Sequence, residues 1–99
     1  MIEDLAAMKQ SLAADTEPPE GLGDELRSLW YAKKGDWESA HNIAQDIDTK
    51  MGSWIHALLH LIEGDLGNAG YWYARADRSA PPPSVSIADE WFEIAAALL

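Results

Sequence analysis

Between Ser53 and Asp65 the chain reads SWIHALLHLIEGD, and no other stretch restricts its fold as tightly. Placed on a helix of about 3.6 residues per turn, Met51, Trp54, Ile55, Leu58, Leu59, Leu61 and Ile62 cover well over half of the circumference. His56, His60 and Glu63 form the one narrow polar stripe. A helix with so little polar surface has to be covered by other helices on at least two sides. In a chain of 99 residues that makes it the central element, with the histidine stripe aimed at a seam or a groove.

The segments on either side obey a common grammar. Ile2, Leu5, Met8 and Leu12 are spaced for one helical face, ended by Asp-Thr-Glu-Pro-Pro-Glu-Gly at 15–21, which fits a helix that either caps the core or docks on a second copy. A second helix is expected over Asp24 to Lys34, with acids in its first turn, Lys33 and Lys34 in its last, and Gly35 as a left-handed stop. Asp36 then caps a third helix, Trp37 to about Ile47, with Trp37, Ala40, Ile43, Ala44 and Ile47 on its inner side. So short a connection makes these helices neighbours in a hairpin.

After the central helix the pattern returns. Glu63-Gly64 stops it, Asp65 caps the next, and Leu66, Ala69, Tyr73 and Ala76 repeat the inner-face spacing of Trp37, Ala40, Ala44 and Ile47. Gly35-Asp36-Trp37-Glu38-Ser39-Ala40 and Gly64-Asp65-Leu66-Gly67-Asn68-Ala69 are offset by 29 residues, an internal repeat whose units cannot bury their apolar faces alone and should stack. Ser79 to Ser84, including Pro81, Pro82 and Pro83, forms a stiff connector. Ser86 and Asp89 then open a last helix with Ile87, Trp91, Ile94, Ala95 and Leu98 as its stripe, a lid on the second hairpin.

The glycine-acid turn followed by a small alanine resembles the tetratricopeptide-repeat pattern, over about residues 24–81. Gly35, Asp36, Trp37 and Ala40 match in the first unit; Gly64, Ala69, Tyr73, Ala76 and the trailing Pro81 match in the second. Ala44 stands where the family places an aromatic residue and Gly52 where it places proline, and the 29-residue offset is shorter than the family's usual ~34. The run from GDWESAHNIAQ to GDLGNAGYWYARA also looks like a family of small bacterial proteins of unknown activity, which implies a bacterial cytoplasmic setting and no catalytic residues. The expected fold is a single all-α domain, a right-handed array of about six helices. Its repeat units span about 24–48 and 50–78, with an N-terminal flanking helix and a C-terminal capping helix over about 86–98.

Composition narrows the function classes. A hydrophobic content of 47 % with five tryptophans suffices for one compact core. The absence of cysteine excludes disulfide and thiolate chemistry. A net charge of −10 argues against nucleic acid and anionic membrane surfaces as partners. The acids are concentrated at the two ends of the chain, as solvated faces and caps. No apolar run is long enough to span a bilayer, and MIEDLAAMKQ lacks the basic start and apolar run of a signal peptide, so the chain reads as cytoplasmic.

Two functional readings follow. In tetratricopeptide-type proteins the groove lined by the first helix of each hairpin binds a peptide or partner helix. The matching positions are Leu22, Glu25, Leu29 and Lys33, then Met51, Trp54, Leu58, Leu61 and Ile62. A groove that apolar has to be filled by one of the chain's own terminal helices, by a second copy, or by another protein. Tyr71, opposite the Leu66 and Tyr73 face, and Trp72 beside it offer a second contact surface. The favoured reading is therefore a non-catalytic protein-interaction module without cofactor.

The other reading rests on His56 and His60, one helical turn apart, with Glu63 continuing their stripe and His41 on the preceding helix as a third nitrogen donor. That set suits zinc or another divalent metal, with hydrolytic chemistry in reach, although the paired acid of an HExxH motif is missing. The plainer alternative is a group of partly buried histidines hydrogen-bonded to backbone or to acids such as Asp36. No catalytic residue can be named: no nucleophile elbow or phosphate loop is present.

Overall fold

Six α-helices make up the computed structural model, which describes residues 4–99: α1 (Leu5–Ala14), α2 (Asp24–Lys34), α3 (Trp37–Ala44), α4 (Lys50–Ile62), α5 (Leu66–Arg75) and α6 (Ile87–Leu98). The described residues include no β-strand. Ile2, expected to begin the apolar face of α1, lies outside the described residues.

Five of the helices begin on a side-chain oxygen that accepts from an amide in the first turn, which would otherwise lack a partner. Asp4 accepts from Ala7 at 2.8 Å, Asp36 from Ser39 at 3.1 Å, Thr49 from Gly52 at 3.0 Å, Asp65 from Asn68 at 3.2 Å and Ser86 from Asp89 at 3.0 Å. The repeated glycine-acid junctions share one geometry. Gly35 (φ 87°) and Gly64 (φ 81°) adopt the left-handed conformation. Their amides reach back to Ala32 and Leu61, and the following Asp36 and Asp65 amides reach Tyr31 and His60, each at 2.9 Å. One residue thus closes the outgoing helix and the next caps the incoming one. Helix α3 stops at Ala44 rather than near Ile47, because the Asp46 and Ile47 amides bond three residues back, to Ile43 and Ala44, tightening the chain out of the α-helix.

Packing is centred on α4, whose residues Gly52 to Leu59 are all buried. Helix α2 lies along α3, α4 lies along α5, and α2, α3 and α6 also contact α4. Tryptophan N–H groups tie these layers. Trp30 donates to Ser11 Oγ (3.1 Å), Trp37 to the Leu59 carbonyl (2.6 Å), Trp54 to Glu90 Oε2 (3.0 Å) and Trp91 to the Leu29 carbonyl (2.9 Å), each bond crossing from one helix to another. Helix α1 caps α2, where Lys34 Nζ also donates to the Leu12 carbonyl at 3.0 Å.

The last helix reaches farther than a lid on the second pair. Helix α6 lies against both α2 and α4, so it occupies the groove expected between them. Leu29 and Leu58 are fully buried and Trp54 is 3 % exposed. Met51, Leu61, Ile62, Leu22 and Glu25 are half-buried and Lys33 is exposed. The side chain of Glu90 enters the core with α6 and is satisfied there: Oε2 accepts from both Trp54 and the Tyr73 hydroxyl, the latter at 2.8 Å. Burial first, and then that carboxylate, push the Tyr73 hydroxyl far above its ordinary value. On α5 and its cap, Ala69, Tyr73 and Ala76 are buried as the spacing predicts, but Leu66, at the first position of the helix, is 68 % exposed.

The two junctions can be tested directly. A Cβ at Gly35 or Gly64 would meet no neighbour within 4 Å, so substitution carries only the cost of a left-handed L-residue. Gly35→Ala and Gly64→Ala should each lower stability by about 1–2 kcal/mol in urea unfolding, with unchanged helix content by circular dichroism.

Candidate metal centre

The polar stripe of α4 meets α3 and α5 at a seam lined by aromatic rings. His56 and His60, one turn apart, stack with centroids 4.9 Å apart and planes 21° apart. His41 comes from α3, where it follows Trp37 by one turn and lies against that indole at 4.6 Å and 12°. It meets His56 edge-on at 4.6 Å and His60 at 5.5 Å. The Trp72 ring of α5 covers the His56 ring at 3.8 Å and 14°. The three imidazoles are therefore held between two indoles, one of them fixed by its own bond to the Leu59 carbonyl.

Electrostatics favour neutral rings. Burial, then the neighbouring His41 and His60, lower the pKa of His56 to about 4. Burial and His60 lower that of His41, against a smaller opposing pull from Glu63. His60 is oriented by Glu63, whose Oε1 lies 2.6 Å from Nδ1. A carboxylate only accepts, so Nδ1–H donates, and in the neutral ring the lone pair is then on Nε2. Among the described residues His60 is the one member of the trio with a side-chain hydrogen bond. Asp36 does not serve these histidines. Its two oxygens accept from the Ser39 amide and hydroxyl, at 3.1 and 2.7 Å.

The trio fits a metal ion. Donor atoms of His41, His56 and His60 lie within 4.8 Å of one another. Nitrogens on one tetrahedral ion at ~2.0–2.1 Å are about 3.3 Å apart, so side-chain rotations of about 1.5 Å or less would bring them together. Neutral imidazole nitrogen suits zinc, copper(II) and nickel. Glu63 lies on Nδ1 of His60, where it orients that ring, and it is not among the three donors of the trio. A second group, His60, Glu63 and Asp65, also lies within 4.8 Å. The Asp65 oxygens accept from the Asn68 amide and side-chain amide, at 3.2 and 2.7 Å, and those bonds lower its pKa.

The four residues expected to ligate or extend the stripe, His41, His56, His60 and Glu63, are brought together in this way. The expected partner-binding residues are divided. Leu29, Trp54 and Leu58 are core, Trp72 is part of the histidine seam, and Tyr71 is 54 % exposed, with its hydroxyl accepting from Arg75 at 3.2 Å. Two residues that line the site carry other expectations from the sequence, Trp37 as core and Trp72 as a contact surface. The one-turn spacing of Trp37 and His41 signals their stacking; nothing local signals that Trp72 reaches His56. In comparison with known proteins, no family model, curated protein or solved structure matches this chain.

The histidines leave a pH signature in the metal-free protein. Unfolded His56 takes a proton near its ordinary value of 6.5, and folded His56 resists until about 4. The unfolded state thus binds more protons in that window, and stability should fall as pH is lowered through it. Urea midpoints across the window, in the presence of a chelator, should fall more steeply for the wild type than for His56→Gln; equal slopes would remove His56 as the cause.

Proposed function

We propose that this chain is a metal-binding protein in which His41, His56 and His60 hold a divalent ion of the zinc, copper or nickel type, with Glu63 orienting His60. The observation that carries this reading is the convergence of donor atoms from three imidazoles on two helices to within 4.8 Å, at a seam where burial disfavours protonation of His41 and His56. An ion there bonds α3 to α4, so its binding is also a contribution to folding. The decisive measurement is thermal unfolding of untagged, chelator-dialysed protein with and without zinc. At a concentration about 100 times Kd the ion should add about 2.7 kcal/mol, a rise of roughly 10–20 °C in Tm. His60→Ala and His41→Ala should abolish the rise. No rise, or one that both variants retain, ends this reading.

A second reading, a protein-interaction module of tetratricopeptide-like organisation, draws on a different surface. With α6 in the groove, Leu66 and Ile87 (68 % and 42 % exposed) form an apolar rim around a cavity of about 390 Å³, bordered also by Leu61, Ala69, Val85 and the proline run. Such a rim suits an apolar side chain from a protein or peptide, or from a second copy of this chain. The resemblance to small bacterial proteins favours a bacterial cytoplasmic setting for such a module. Among the described residues no helix is long and apolar enough to cross a membrane. Leu66→Asp should leave the circular dichroism spectrum unchanged and abolish association seen by sedimentation or by affinity capture. If the wild type associates with nothing, the rim is not an interaction surface.

A further inference from the structure

We infer that an ion on His41, His56 and His60 keeps one coordination position for a small Lewis base from solution, water or hydroxide in the resting protein and a small anion in exchange for it. The inference rests on the metal-binding reading and concerns what that site can do.

Counting donors leads to it. Zinc of the tetrahedral type takes four ligands, and sites with four protein ligands are closed whereas sites with three retain an exchangeable water. Among the described residues the histidine trio is a three-member group, and the other donor group shares only His60 with it. The chain has no cysteine to complete the sphere.

The two carboxylates grouped with His60 are committed in ways that keep them out. Glu63 sits on Nδ1 of His60 at 2.6 Å, which leaves Nε2 to ligate. The two nitrogens point from opposite edges of the imidazole ring, so a carboxylate bonded to one cannot reach an ion on the other. Asp65 caps α5 with one oxygen and holds the Asn68 side chain with the other. Moving it to the ion would uncap that helix.

Access and size follow from the walls. His56 is buried at 6 % exposure beneath Trp72, and Trp37 covers one face of His41. The His60 side chain retains 12 % exposure, at the edge where Glu63 meets solvent. A ligand entering past His60 between the two indoles has to be small. A three-histidine zinc ion with one water would lower the pKa of that water toward neutrality, and the chemistry it would supply is hydrolysis of small activated esters or hydration of small carbonyl compounds.

Cobalt(II), which reports its coordination through visible absorption, tests this on the chelator-dialysed 99-residue chain. Addition of cobalt should produce d–d bands that His60→Ala abolishes, and azide should then shift those bands saturably. Absence of cobalt bands in the wild type would overturn the metal-binding reading and the inference with it. Bands that azide leaves unchanged would overturn the open position alone. Glu63→Gln separates the remaining case. If Glu63 completes the sphere, azide will act on that variant and not on the wild type, which would refute the inference; if Glu63 only orients His60, both proteins will respond.

Discussion

Helix α4 cannot face water on any broad side, and the rest of the molecule is arranged by that constraint. Burying each large aliphatic or aromatic side chain contributes about 1.5–3 kcal/mol, and α4 carries a continuous run of buried residues from Gly52 to Leu59. Helices α2, α3, α5 and α6 all pack on it. Once the apolar circumference is covered, the histidine stripe has to lie at a seam as well, because α3 and α5 approach on that side. The candidate centre is thus a by-product of how α4 is enclosed.

Aromatic rings solve the problem that enclosure creates. Imidazoles withdrawn from water tolerate burial only when neutral, and the flat faces of Trp37 and Trp72 offer neutral rings close contact without demanding hydrogen bonds. The same neutrality leaves lone pairs available on His41 and His56, while Glu63 leaves the second nitrogen of His60 available by occupying the first. The protonation state that burial favours for His41 and His56 is the one that metal binding would require. That coincidence is what distinguishes this cluster from histidines stranded in a core.

The groove between α2 and α4 shows the opposite outcome. Its apolar residues are satisfied within the chain by α6, and the buried Glu90 makes the fit specific: one carboxylate oxygen accepts from α4 through Trp54 and from α5 through Tyr73. A polar group in that position is tolerated only in register, so α6 is held at one place along the groove. The Leu66 and Ile87 rim and the His60 edge stay open to solvent, two surfaces that come from different features of the fold.

Local physics writes much of this into the amino-acid order. The capping acids Asp36 and Asp65, the left-handed Gly35 and Gly64, and the one-turn spacing of His56 and His60 act over a few residues, so the helices, their order and the polar stripe are legible in the sequence. The limits of α3, the exposure of Leu66, the reach of α6 across both pairs and the stacking of Trp72 on His56 are not. Each depends on where one helix ends relative to another, a distance set by packing between residues far apart in the chain and carried by no local pattern. That α4 must be enclosed, and that its two histidines share a face, follows from residue order alone. That α6, among the possible occupants, fills the groove and that Trp72 closes over His56 emerges only in three dimensions, because which surfaces meet is settled by the competition of whole faces for the same apolar partner.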